Sequence, residues 1–253
     1  MNTRKDQPNT GGGLSVLLVL ASLITLGVIG GGVWVGWMLH RTGGGSENGA
    51  VPADIDQAND AEAKAAYQAM LDSMKIPEFR ALDQDGHPVG RDLFLGHCTI
   101  LHFAFTHCVT VCPVTTGKMM RIQGAAGLLK GKAKLVSISV DPAHDTPEQL
   151  KAHTHDWANY NLWTWVSADP ATLKSIVVDS LGFPIEPDAA DKITLNDGTS
   201  MSNIRHTARL LLLDANARVV GMYSGTDDAD VTRLIDAMRH CCATIGSAGE
   251  KPQ

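Results

Sequence analysis

Phe103-Ala104-Phe105-Thr106-His107-Cys108-Val109-Thr110-Val111-Cys112-Pro113 is the stretch on which the reading of this chain turns. Its first residues finish a short apolar run, 99–105, of the buried-strand type. Its last residue is a proline, which the first turn of a helix tolerates and its interior does not. A helix is expected from about 114 to 129, so the two cysteines fall where a buried strand hands over to a helix. A helix start offers N–H groups without intrahelical partners and a partial positive charge, and both stabilise a thiolate. Proline at 113 biases Cys112 away from helical backbone. That places Cys112 at the cap or in the last loop position and Cys108 in the loop, with the two thiols converging.

Outward from this point the chain alternates. Upstream, 79–89 reads as two short strands around an Asp85-Gly86 turn. Downstream, 134–140 is a second buried-strand run. Thr146-Pro147-Glu148-Gln149 is a capping box with proline at the first helical position. Trp163 to Val166 supplies a strand, and Asp169-Pro170 opens a helix that Gly182 can close. A polar, hairpin-like insertion surrounds Asn196-Asp197-Gly198. His206 to Leu213 and Arg218 to Tyr223 form a closing hairpin around 214–217, and a last helix runs from about 228 to 243. Strands alternating with helices, then a hairpin and a helix, point to an α/β sheet with helices on both faces. The order suits a thioredoxin-like domain over 76–245 with one inserted strand–helix unit.

The cysteine pair has three intervening residues, a spacing that can close a disulfide or hold a metal. Two thiolates are soft ligands suited to Cu(I), zinc or iron–sulfur chemistry. A structural zinc site wants four ligands, and no fourth ligand or second pair at finger spacing presents itself. Two thiolates with one imidazole favour copper. The plainer alternative is a structural disulfide in an oxidising compartment.

Three segments in register, 103–119, Ser137 to Glu148 (Ser-Ile-Ser-Val-Asp141-Pro-Ala-His-Asp145-Thr-Pro-Glu) and His206-Thr207 opening a late strand, resemble the Sco/SenC copper chaperones, which assist maturation of the dinuclear copper centre of cytochrome c oxidase. The similarity spans roughly 76 to 243. It implies a thioredoxin-like fold and copper, as Cu(I) and also Cu(II), held by Cys108, Cys112 and His206. It also implies a copper-accepting oxidase subunit as partner, together with a copper donor and a thiol reductant. Two departures stand out: Val-Thr-Val lies between the cysteines where many relatives carry a proline and an acid, and Arg205 precedes His206 where an acid is common. A guanidinium pointing inward would disfavour a cation.

The other candidates have two readings each. Asp141 and Asp145 either steer a partner or tune the site, or they cap the following turn and helix. His107 either lowers the neighbouring thiol's pKa or is an exposed loop histidine. Met119 and Met120 read as core residues rather than thioether ligands, and His153 and His155 as surface residues. Cys98, Cys241 and Cys242 read as core thiols, with a disulfide among them as the alternative; an odd total of five cysteines leaves at least one unpaired within the chain.

The bulk of the sequence frames the rest. With 253 residues, 44% hydrophobic, the chain has enough apolar material for one well-buried domain plus appendages. Net charge is −6, which argues against a nucleic-acid partner. Residues 14–39 carry no charge until His40-Arg41 and are long enough for a single membrane span. Arg4 and Lys5 ahead of it favour residues 1–13 in the cytoplasm. Residues 40–75 read as a linker containing a short helix, and 246–253 as a tail. With no Arg- and Ser-rich transit peptide, the expectation is a bacterial inner-membrane protein with its domain in the periplasm. It is not expected to be a conventional enzyme; a thiol–disulfide oxidoreductase using Cys108 and Cys112, or a redox or copper sensor, is the alternative.

Overall fold

Nine strands and five helices follow from these signals in the structure, a computed structural model that describes residues 61–195 and 197–245. The expected span 14–39, the segment 1–13, residues 40–60 of the linker, Asn196 and the tail 246–253 lie outside the described residues. Among the described residues no helix is long and apolar enough to cross a membrane.

Helix α1 (Ala61–Ser73) is the short helix expected in the linker. Strands β1 (Ala81–Asp83) and β2 (Pro88–Val89) flank the Asp85-Gly86 turn, where the Asp83 carboxylate accepts the N–H groups of Asp85 and His87. β3 (Cys98–Ala104), β4 (Ala133–Ser139) and β5 (Trp163–Ser167) pair in parallel. Every residue of β3 is buried, as expected of a central strand covered on both faces. β8 (Arg209–Leu213) runs antiparallel beside β3, and β9 (Val219–Ser224) beside β8. The seven-stranded order is β2-β1-β5-β4-β3-β8-β9. β6 (Glu186–Thr194) and β7 (Ser200–Arg205) form a separate two-stranded sheet, the polar insertion seen in the sequence.

Side-chain alternation along β3 shows what covers each face. Cys98 and His102 face α2 (Cys112–Gly127) and α5 (Asp228–Thr244), the first through the bond to Cys241 and the second through Thr115. Phe103 faces the other way, onto Phe183 at 6.0 Å. That phenylalanine follows α4 (Pro170–Leu173), which continues as a π-helical turn over Lys174–Ser180 and ends at Gly182 with φ +75°. The N-cap half of the capping box is realised: Thr146 Oγ1 accepts the Gln149 N–H at the start of α3 (Pro147–Thr154), while the Thr146 N–H donates to the His144 carbonyl oxygen. Met119 is in the core as expected, but Met120, expected there too, is exposed instead, because a helix that turns Met119 inward turns the next position to the outer face.

Three expectations are corrected. The strand read from His206 begins instead at Arg209, so residues 206–208 form a short connection between β7 and β8. Cys112 is the first residue of α2 rather than its cap; Val111 holds the cap position with helical backbone angles. The bias that Pro113 imposes is overcome because the Cys112 N–H finds an acceptor in the Cys108 sulfur at 3.4 Å, and Pro113 has no N–H to strand. The core thiols Cys98 and Cys241 are joined in a disulfide, leaving Cys242 free and buried.

His102 lies fully buried in the sheet, with Nδ1 3.0 Å from Ser137 Oγ and Nε2 3.2 Å from Thr115 Oγ1. Burial, reinforced by the charge His206 can carry, lowers its pKa to about 3. The unfolded chain therefore takes up a proton on this ring below about pH 6.5, while the folded protein refuses it until about pH 3. Stability is fully present above the unfolded value and is lost as pH falls, by ~1.4 kcal/mol per pH unit for one proton. Burial lowers His97 in the same direction. Urea denaturation between pH 7 and 5 should thus show a midpoint falling with acid, and His102→Phe should flatten that slope by one proton's worth. An unchanged slope would show that His102 is accessible to protons.

Candidate metal centre

The sheet order brings the site together. Parallel strands β3, β4 and β5 end on one edge, and the antiparallel β8 starts there. The loop carrying Cys108 follows β3, the loop carrying Asp141 and Asp145 follows β4, and His206 lies just ahead of β8. The carboxyl edge of a parallel sheet is where loops from several strands converge on a ligand.

Cys108 and Cys112 are free thiols, both buried. Cys112 Sγ lies 3.9 Å from His206 Nε2. His206 Nδ1 is 3.0 Å from the Thr207 carbonyl oxygen, which can only accept, so Nδ1 carries a proton and Nε2 is the nitrogen turned toward the cysteines. Phe105 packs edge-on against the imidazole at 5.8 Å between centroids and fixes its plane. In thioredoxin-type redox enzymes a cis-proline faces the cysteines; here His206 does.

The two thiols are unequal. The hydrogen bond from Cys112 holds the Cys108 thiol far below the ordinary thiol range, against the opposing effect of burial. The Cys112 thiol is pushed up, chiefly by donating that bond, then by burial and by the charge on Cys108. The pair therefore keeps one proton at neutral pH, with Cys108 as thiolate and Cys112 as thiol. Two sulfurs and an imidazole nitrogen form a donor set for a soft ion such as Cu(I), not for magnesium or calcium.

Asp145 holds the loop in place. Its carboxylate accepts Thr106 Oγ1 at 2.6 Å, the Thr106 N–H at 3.1 Å and Ser139 Oγ at 2.5 Å. Burial pushes its pKa up, and those three donors oppose the shift. Asp141 pairs with His144 Nδ1 at 2.8 Å. Neither acid caps α3, because Thr146 does; that reading is corrected. His107 stacks edge-on with His144 at 5.6 Å and sits beside Thr106 Oγ1. It offers a donor atom within 4.8 Å of both acids, on the Asp141 side of the loop. Arg205 turns away from the thiols to meet Glu186 at 3.0 Å and Asp188 at 3.8 Å on the hairpin, so its charge is matched there.

Sequence reasoning missed Phe105 and Thr106 as supports for His206 and the loop. It also missed Gly225, whose N–H donates at 2.9 Å to the carbonyl oxygen of Ala208, two residues on from the histidine.

The SCO1/SenC family model matches residues 68–242. The chain belongs to that family. It is similar to an SCO2-like protein of Rickettsia prowazekii, 36% identical over 83 residues, 32% of this chain and 40% of that one. It thus spans about two fifths of the length of that relative. Among solved structures it resembles a SCO1/SenC family lipoprotein of Bacillus anthracis, with a TM-score of 0.57, 26% identity and coverage of 67% of this chain and 95% of that one. It also resembles Bradyrhizobium japonicum ScoI, solved with copper bound, with a TM-score of 0.54, 25% identity and coverage of 65% and 98%. The fold is therefore the thioredoxin-like mixed sheet of Sco structures, as the order of elements implied.

Proposed function

We propose that this SCO1/SenC chain is a membrane-anchored copper metallochaperone, with copper as its cargo held by Cys108, Cys112 and His206. The observation that carries the reading is the approach of His206 Nε2 to Cys112 Sγ, 3.9 Å apart across 94 residues of sequence, beside a thiolate at Cys108. The Cys108 thiolate is ready for Cu(I), and Cys112 gives up its proton on loading. Occupancy therefore falls as pH falls. Delivery to a cytochrome c oxidase subunit proceeds by ligand exchange, the acceptor's thiols replacing these donors one at a time. Val109 and Val114, both exposed at the rim, give that partner apolar surface. Residues 14–39 anchor the chain in a bacterial inner membrane with the domain in the periplasm, and the tether raises its effective concentration near a membrane-bound acceptor.

Anaerobic Cu(I) titration of the reduced full chain in detergent tests this directly. One copper per chain, with two sulfurs and one nitrogen in the X-ray absorption first shell, is expected; no stoichiometric copper would end the reading.

A second reading, a thiol–disulfide oxidoreductase, draws on the unequal thiols, since a low-pKa Cys108 with a protonated Cys112 is the arrangement of an attacking and a resolving thiol. Disulfide reductase activity that survives His206→Ala while copper binding is lost would favour it.

Gly225 gives a test that touches no ligand. A Cβ there would stand 2.6 Å from the Ala208 carbonyl oxygen and 3.2 Å from Thr115 Cγ2. Gly225→Ala must push residues 206–208 outward. Copper affinity should fall by about tenfold, equivalent to ~1.4 kcal/mol. Equal affinity in competition with a chromophoric Cu(I) chelator would show that this contact does not position His206.

A further inference from the structure

The cysteines outside the copper site meet at the far end of β3. Cys98 opens that strand and is bonded to Cys241, while the next residue, Cys242, is a free thiol. Cys98 and Cys242 are buried, and Cys241 is only half-buried. One carbonyl oxygen organises the group. Lys132 O accepts the Cys98 N–H at 2.9 Å and the Cys242 thiol at 3.3 Å. The free sulfur is thus lodged beside the backbone that carries the bonded one, and two consecutive residues of α5 approach the same partner.

We propose that Cys98, Cys241 and Cys242 form a second thiol–disulfide centre, in which Cys98 changes partner between Cys241 and Cys242. The Cys242 thiolate attacks Cys98 Sγ; the Cys98–Cys242 bond forms as the Cys98–Cys241 bond breaks. The electron pair leaves on Cys241, which takes up the proton that Cys242 gave away. No outside oxidant or reductant is consumed. Attack on Cys241 Sγ instead would join neighbours whose Cα atoms are about 3.8 Å apart, closer than an ordinary disulfide accepts. Exchange therefore runs between the strand and the helix, not along the helix.

The exchange changes what the surface presents. With Cys98 held by Cys241, the spare thiol is buried; with Cys98 held by Cys242, it is the half-buried Cys241 thiol, within reach of an external disulfide or a thiol-reactive electrophile. Burial pushes the Cys242 thiol up, against the Lys132 charge and the Cys98 N–H. The attacking thiolate is accordingly scarce at neutral pH, and exchange quickens as pH rises. The centre lies seven residues of extended strand from the copper loop, so the two sets of thiols act separately.

Disulfide mapping tests this on the full chain in a Cys108→Ser/Cys112→Ser background, which silences the other thiols. Samples held at pH 7.5 and pH 9 are quenched in acid, alkylated and digested. A Cys98–Cys242 peptide with Cys241 alkylated is expected, several-fold more abundant at pH 9 and absent from Cys242→Ser. Finding Cys98–Cys241 as the only linkage at pH 9 would overturn the proposal. As a second measurement, Cys241→Ser treated with oxidised glutathione should close Cys98–Cys242 and lose both free thiols; retention of two free thiols would overturn it equally.

Discussion

Cys112→Ser is expected to leave the domain folded and to cost about a thousandfold or more in Cu(I) affinity, ~4 kcal/mol. Cys112 is buried, donates to Cys108, and stands closest to His206. Its removal takes away one of two soft donors and the hydrogen bond that keeps Cys108 ionised at low pH. Serine is close to cysteine in size, so packing is nearly kept, but its oxygen is a hard, protonated donor that Cu(I) does not favour. His206→Ala should be milder, about a hundredfold, because two thiolates remain on Cu(I). Chelator competition ranks the variants. Should Cys112→Ser keep full affinity, the metal is not held at this site.

Cys98→Ala should be the most damaging substitution for stability among those that leave the copper loop untouched. The bond it removes closes a loop of 143 residues between the first strand of the parallel core and the last helix. Restoring that freedom to the unfolded chain costs about 3–5 kcal/mol of stability, on the chain-entropy account. For a domain of this size the melting temperature should fall by roughly 10 °C. Measured in a Cys108→Ser/Cys112→Ser background, where no other disulfide contributes, a fall of less than 2 °C would mean that the bond adds little. The exchange proposed above sets a further expectation: Cys241→Ser should lose far less than Cys98→Ala, because Cys242 can take the vacated place.

Much of this architecture is legible in the residues. The 99–105 run, the capping box at Thr146 and the Asp169-Pro170 start have local physical causes, and each element formed within a few residues of its expected place. The Cys108/Cys112 pair was legible because strand end, helix start and spacing coincide. His206 was not: ten histidines offered nothing local to single it out, and only the family resemblance did. Its position depends on β8 lying antiparallel to β3, a pairing across more than 100 residues. Cys98 and Cys241 were obscured because helical spacing put Cys241 and Cys242 on one buried border of α5, where core packing and a disulfide look alike. Asp145 kept two readings in the sequence because it lies directly ahead of a helix start, where a cap and a site residue look alike; Thr146 is the cap. The partner of Asp145, Thr106, is 39 residues away. Arg205 looked unfavourable beside a metal ligand only because the carboxylates that meet it lie across the hairpin rather than next to it.

β3 is bonded by β4 on one side and β8 on the other, and its first residue is covalently fixed to α5. It works as a stiff mast clamped at the foot. Thr106 is lashed to Asp145 at the top, which leaves the exposed Val109 and Thr110 as the part of the loop that can yield. On the chaperone reading proposed above, a hand-over of cargo would bend a short loop rather than a domain, so little order would have to be rebuilt between one delivery and the next.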